Sequence, residues 1–131
     1  VECAQKVDQL LWIHLAKVGR ENLIALQNKA DAVFVSDDIY DYIVSLTEKT
    51  RQTDLLMQGI SPRGSLAILK MAKAYACYQD RDYVIPQDIH KVFFAVSNHR
   101  MILSTKAKAN GHDAADIVDE ILNQVPIPAL S

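Results

Sequence analysis

The fold of this 131-residue chain is decided by residues 60–78, which read ISPRGSLAILKMAKAYACY. Ser61 is a favoured N-cap residue, and Pro62 suits the first helical position because the N–H that it lacks would have no partner there. Apart from Lys70 and Lys73, the helix that follows has little polar surface. A helix this apolar belongs in the centre of a bundle, so we predict that the other elements pack around it.

Apolar residues recur at steps of three and four along most of the remaining chain, which predicts further helices. We expect them at about 4–17, 21–30 and 37–49, and two more that begin at Pro86 and after Asp113. In contrast, the polar segment Ser104 to Gly111 is predicted to be an exposed loop, and Gln58 to Ile60 a linker.

Two short β-branched runs, Val33–Val35 and Val84–Ile85, each precede a predicted helix. Neither is long enough to form a sheet by itself, but the two can pair with each other. The fold class predicted from the sequence is therefore all-α: a single helical bundle of about five or six helices, with room for one very short two-strand bridge.

Composition excludes several classes of function. The net charge is −2 and no block of basic residues occurs, which argues against nucleic-acid binding. No stretch approaches the roughly 18 apolar residues of a membrane span. Cys3 and Cys77 are far apart, as expected of reduced thiols in a cytoplasmic protein. The sequence does not begin with Met, and we expect it to be part of a longer chain.

Known catalytic motifs are missing from the sequence. Gly59 and Gly64 have the spacing of a phosphate-binding loop, but Ser65 stands where the phosphate-holding lysine is needed. The histidines, His14, His90, His99 and His112, show no metal-ligand spacing. We therefore predict no metal site, and a small enzyme that uses histidine or carboxylates is the least favoured hypothesis.

Arg63 is the residue that the fold explains least well. As the second residue of its helix, it places a cation at the positive helix end, which costs on the order of 0.3–1 kcal/mol. A guanidinium beside free helix N–H groups is, however, well suited to a phosphate. The alternative is a solvated arginine that bends away from the helix end.

Several segments, in order and spacing, together resemble the C-terminal lid of MoxR-type AAA+ ATPases. The resemblance covers about residues 21–128. Its segments are Gly59-x-Ser61-Pro62-Arg63, the alanine-rich helix 66–78, Arg81-Asp82-Tyr83-Val84-x-Pro86-x-Asp88-Ile89, His99-Arg100, Val125-Pro126-Ile127-Pro128, and upstream Asp41-Tyr42-Ile43-Val44-x-Leu46 and Thr50-Arg51.

This resemblance implies roles for particular residues. Arg63 would be the sensor-2 arginine that reaches the γ-phosphate of ATP, with Ser61 and Pro62 shaping the helix start. ATP and its Mg²⁺ would be held mainly by a nucleotide-binding core outside residues 1–131, so this piece alone would not catalyse hydrolysis. Arg81, His99 and Arg100 would be secondary contacts to nucleotide or to a neighbouring subunit, or else would have structural roles.

The resemblance also implies partners. They are the AAA+ core of the same chain, neighbouring subunits of a hexameric ring, and a von Willebrand A-domain protein in chaperone-like remodelling. The rival hypothesis is a stand-alone helical interaction module without a nucleotide role.

Two positions depart from the family pattern: Asp80 replaces a usual glycine in a turn, and Ile85 replaces a threonine N-cap.

Overall fold

The computed structural model describes residues 19–129, so the helix predicted at about 4–17, with Cys3 and His14, lies outside the described residues. Its α-helices are α1 (Arg20–Asp31), α2 (Asp37–Gln52), α3 (Pro62–Tyr78), α4 (Pro86–Ser97), α5 (Thr105–Ala109) and α6 (Ala114–Gln124). A 3-10 turn, Asn98–Arg100, follows α4. The strands β1 (Leu56–Gln58) and β2 (Ile102–Leu103) pair antiparallel. The predicted all-α bundle is confirmed.

Helix α3 is central, as predicted, because it packs against α4, α1 and α2. Its buried stripe consists of Gly64, Ile68, Ala72 and Ala76, spaced four residues apart on one face. The two alanines are fully buried, and small side chains at a crossing allow helix axes to approach closely. The opposite face of α3 remains exposed.

The core lies where α2, α3, α4 and α6 meet. Its largest fully buried side chains are Ile39, Leu46, Ile60, Ile68, Ile89, Phe93, Ile117 and Val118. Burying each such side chain contributes about 1.5–3 kcal/mol. Helix α1, by contrast, has no buried residue. Among residues 19–129, no helix has both the length and the apolarity that crossing a membrane requires.

The predicted two-strand bridge is present between the segments that precede α2 and α4. Phe34 pairs with Tyr83 in parallel. The Phe34 N–H donates to the Asp82 carbonyl at 2.7 Å, and the Val84 N–H donates to the Phe34 carbonyl at 3.0 Å. The bridge therefore fixes the starts of two helices relative to each other.

Two predictions about loops were wrong. Ser104 to Gly111 is not an exposed loop, because residues 105–109 form α5 with Ala107 fully buried. The Ser104 hydroxyl accepts the Ala107 N–H at 3.1 Å and caps this helix. The predicted linker begins inside a strand, since Gln58 pairs with Ile102 in the β1–β2 ladder.

Side-chain capping differs among the helix starts. Asp113 accepts the Asp116 N–H at 2.8 Å, as predicted for the start of α6. Ser36 occupies the N-cap position of α2, but its buried hydroxyl has no hydrogen-bond partner in the described part of the chain. At the start of α4, where Ile85 has no capping side chain, the Asp88 carboxylate accepts the Ile85 N–H at 2.9 Å and the Ile85 carbonyl accepts the Asp88 N–H at 3.0 Å.

Candidate functional site at the start of the central helix

Ser61 and Pro62 build the start of α3 as the sequence predicts. Ser61 has an extended backbone, with φ −74° and ψ 164°, and its hydroxyl accepts the Gly64 N–H at 3.2 Å. The Ser65 N–H donates to the Ser61 carbonyl at 3.1 Å. These bonds fix the direction of the first helical turn, and with it the point from which Arg63 projects.

Arg63 is exposed at this helix start. The ion pairs formed within residues 19–129 are Arg81–Asp88 and Lys106–Asp54, and neither involves Arg63. Its guanidinium also has no hydrogen bond to any described residue. Because no internal partner holds the side chain, its donors are available to a group outside this part of the protein.

The side of α3 that carries Arg63 is exposed and largely apolar. Leu66, Lys70, Ala74 and Tyr78 follow Arg63 at steps of three and four and therefore share its face. Leu66 is 61% exposed and Tyr78 is 79% exposed. Large apolar side chains that remain exposed beside two cations, Arg63 and Lys70, are compatible with a surface that another domain covers.

Arg100 lies beside the same helix start. Its Nε donates to the Val96 carbonyl at 3.1 Å. A Cβ placed on Gly64 would lie 3.5 Å from the Arg100 Cδ, so the arginine stem packs against the first turn of α3. The structure thus brings Arg100 close to the residue next to Arg63. His99 is exposed on the adjacent 3-10 turn, and its imidazole forms no hydrogen bond to the described residues.

Arg81 has a structural partner. It donates to both carboxylate oxygens of Asp88, at 2.8 and 2.5 Å, and to the Tyr83 carbonyl at 3.1 Å. Asp88 is 1% exposed, whereas the Arg81 side chain is 22% exposed. The hydrogen bonds to the carboxylate raise the pKa of Arg81 above its ordinary value. This pair fixes the turn between α3 and α4, away from the start of α3.

No cluster of three or more histidine, cysteine, aspartate or glutamate side chains in residues 19–129 could hold a metal ion.

The sequence singles out Thr50 and Arg51 only as residues that match a family pattern. In the structure both contact Ile60, immediately before Ser61. Their contribution to the site depends on how the loop folds back onto α2, which residue spacing does not show.

Comparison with known proteins matches residues 48–121 to the AAA lid domain family. An uncharacterized protein, YeaC, from Bacillus subtilis is 43% identical over 111 residues, which cover 85% of this chain and 35% of that protein. Chaperone MoxR1 from Mycobacterium tuberculosis is 33% identical over 119 residues, which cover 84% of this chain and 32% of the chaperone.

A crystal structure of a candidate ATPase from Cytophaga hutchinsonii superposes with a TM-score of 0.72 at 32% sequence identity. The match covers 78% of this chain and 34% of that protein. The chain therefore spans about a third of the length of the relatives that it matches.

Proposed function

Since this chain belongs to the AAA lid domain family and is a lid of the MoxR type of AAA+ ATPase, we propose that Arg63 is its sensor-2 residue. In this role the guanidinium contacts the γ-phosphate of ATP held by a nucleotide-binding core. Ser61 and Pro62 aim the helix start, and Arg63 provides the phosphate contact.

The observation that carries the proposal is an exposed arginine without a partner in residues 19–129, at the second position of the central helix. A cation at this position opposes the helix dipole, and nothing in the described part of the chain compensates for it. An anion that approaches from outside would remove the conflict. It would receive charge-assisted hydrogen bonds from the guanidinium and a favourable field from the helix N-terminus.

Arginine suits this task better than lysine does. Its guanidinium stays charged at any physiological pH and offers several donors in a fixed plane. Donors held in place before charge develops on phosphate oxygens stabilise the transition state of phosphoryl transfer. Because ATP and ADP differ by the group that Arg63 would contact, the same side chain couples lid position to nucleotide state.

The exposed face of α3 supports docking onto another domain. Leu66 and Tyr78 present large apolar side chains on the side from which Arg63 projects. Removing apolar surface from water favours association with another domain. We infer that this face lies against the nucleotide-binding core, which brings Arg63 to the phosphates.

Further properties of the whole protein belong to the same proposal. The ATPase forms a cytoplasmic ring, taken as a hexamer, with ATP and Mg²⁺ bound mainly by the core and neighbouring subunits in contact at each site. It remodels other proteins, with a von Willebrand A-domain protein as partner. Similarity to Chaperone MoxR1 supports this class of function.

The test is steady-state ATP hydrolysis by the full-length ATPase that contains this lid. Arg63→Ala should lower kcat about 100-fold, the loss typical when one preorganised donor to developing charge is removed. Lys91→Ala is the control, because Lys91 is an exposed cation on α4, outside the face of α3 that carries Arg63, and it should leave kcat within about twofold. An Arg63→Ala enzyme with wild-type kcat would show that the sensor-2 assignment is wrong.

A further inference from the structure

The residue before the N-cap of α3 is held by both of its backbone polar groups. The Ile60 N–H donates to the Thr50 Oγ1 at 2.9 Å, and the Arg51 Nε donates to the Ile60 carbonyl at 2.8 Å. Thr50 and Arg51 are neighbours in the last turn of α2. We call Thr50, Arg51, Gly59 and Ile60 the loop anchor.

The geometry at Thr50 leaves little freedom. Thr50 is fully buried, and its hydroxyl hydrogen is committed to the Thr47 carbonyl at 2.6 Å. A hydroxyl has one donor and two acceptor lone pairs. With its hydrogen already donated to Thr47, the Thr50 hydroxyl can still accept the Ile60 N–H. The hydroxyl thus connects the helical backbone of α2 to the start of α3.

Two glycines allow the close approach that the loop anchor needs. A Cβ on Gly59 would lie 2.5 Å from the Thr50 carbonyl oxygen, which is too close for any other residue. A Cβ on Gly64 would lie 2.5 Å from the Ile60 Cγ2. The fully buried Ile60 side chain therefore packs against the first turn of α3 at the position where only glycine leaves room.

The same loop is also held from its other side. The strands β1 and β2 pair across it, and the Ser104 N–H donates to the Leu55 carbonyl at 2.9 Å. As a result, hydrogen bonds hold the loop from Thr53 to Ile60 at several points. The end of α2 and the start of α3 should therefore move together.

We propose that Thr50 and Arg51 are positioning residues for Arg63, an inference that rests on the proposed function. Only two residues separate Ile60 from Arg63, so a shift of Ile60 changes the direction in which the guanidinium projects. A misplacement of about 1 Å can cost 100-fold in rate even when the altered residue is remote from the reaction. Arg51 contacts the loop, and through the loop it fixes Arg63.

A role of Arg51 in positioning Arg63 can be distinguished from a role in folding. Arg51 is exposed, and a single hydrogen bond of this kind contributes only about 0.5–1.5 kcal/mol to stability. Replacing Arg51 should therefore leave the protein folded while the Ile60 carbonyl loses its contact with the end of α2. Lys49 lies in the same last turn of α2, and its side chain forms no hydrogen bond to the described residues, which makes it the matched control.

The experiment is a double-mutant cycle on kcat in the full-length ATPase. Arg51→Ala should lower kcat about tenfold, and Lys49→Ala should leave it unchanged. In the Arg63→Ala background, adding Arg51→Ala should cause no further loss, because the side chain that Arg51 positions is already gone. Thr50→Val should act as Arg51→Ala does, whereas Thr50→Ser keeps the hydroxyl and should restore kcat.

The outcomes separate this inference from the proposed function. If Arg63→Ala lowers kcat but Arg51→Ala has no effect, or has the same effect with and without Arg63, the positioning role is overturned while the sensor role stands. If Arg63→Ala itself leaves kcat unchanged, both are overturned. Should Thr50→Val fail to fold, the Arg51 and Arg63 variants alone decide the question.

Discussion

Arg81 and Asp88 form the most strongly bonded ion pair between residues 19 and 129. Asp88 is almost completely buried and also accepts the Ile85 N–H. Arg81→Ala would leave that carboxylate without its cation, so the free energy of unfolding should fall by about 3 kcal/mol. Urea denaturation of the 131-residue chain measures this loss. Asp88→Asn in the Arg81→Ala background should recover part of it, and a loss below about 1 kcal/mol would contradict the prediction.

His90 makes stability depend on pH. Its Nε2 lies 2.7 Å from the Tyr42 hydroxyl, and burial lowers the pKa of His90 below its ordinary value. The unfolded chain then binds a proton more readily than the folded one. Stability should be fully present above about pH 6.5 and should decline as the pH falls below that value.

The measurement is the urea midpoint between pH 7.5 and pH 5, compared with a variant that cannot titrate. His90→Gln should flatten the decline. His99→Gln, which alters an exposed histidine, should leave the decline as it is. Equal pH profiles for wild type and His90→Gln would show that His90 does not cause the effect.

Among the elements, α3 was predictable because its signals are local. Ser61, Pro62 and the apolar run after them lie within one stretch of chain, and the structure places that helix in the centre. Helix α5 was not predicted, since Lys106, Lys108 and Asn110 give its sequence the polarity of a loop. What makes it a helix is the Ser104 cap and the burial of Ala107, which depends on the rest of the fold.

The start of α3 was predictable only in part. The conflict between its charge and the helix dipole draws attention to Arg63, but only the family resemblance implies its role. The positions of Thr50 and Arg51 relative to Ile60 depend on a loop that folds back and on the pairing of β1 with β2. These strands are too short to be recognised from their sequence, because three-residue strands have no resolvable period.

The turn between α3 and α4 allows a test at the scale of an element. Asp80 has a φ of +56°, as expected where the family pattern has glycine. Aspartate tolerates this conformation better than most residues. Asp80→Val should lower the free energy of unfolding by about 1–2 kcal/mol, because a β-branched residue is strained there. Asp82→Val is the control at a neighbouring exposed position, and equal losses in urea denaturation would contradict this account.

At the scale of the whole molecule, the exposed face of α3 is the surface expected to meet the core. Leu66→Glu should leave the unfolding midpoint of the 131-residue chain nearly unchanged, since Leu66 is mostly exposed. In the full-length ATPase it should lower kcat at least tenfold, because the change removes a large apolar side chain from the docking surface and places a carboxylate three residues from Arg63, where it competes with phosphate for the guanidinium. Steady-state hydrolysis measures the effect.

Val44→Glu provides the matched control for the docking surface. Val44 is 49% exposed on α2, so the change places the same new charge on a helix surface outside the face of α3 that carries Arg63. It should leave kcat within about twofold, in line with ordinary surface substitutions. If Val44→Glu and Leu66→Glu lowered kcat equally, the exposed face of α3 would not be a specific docking surface for the core.

The most direct measurement of the central claim is a structure of the full-length ATPase bound to a non-hydrolysable ATP analogue. We predict that an Arg63 guanidinium nitrogen lies about 3 Å from a γ-phosphate oxygen, within hydrogen-bond distance. An Arg63 side chain paired with a carboxylate of another domain, and far from any phosphate, would contradict the account.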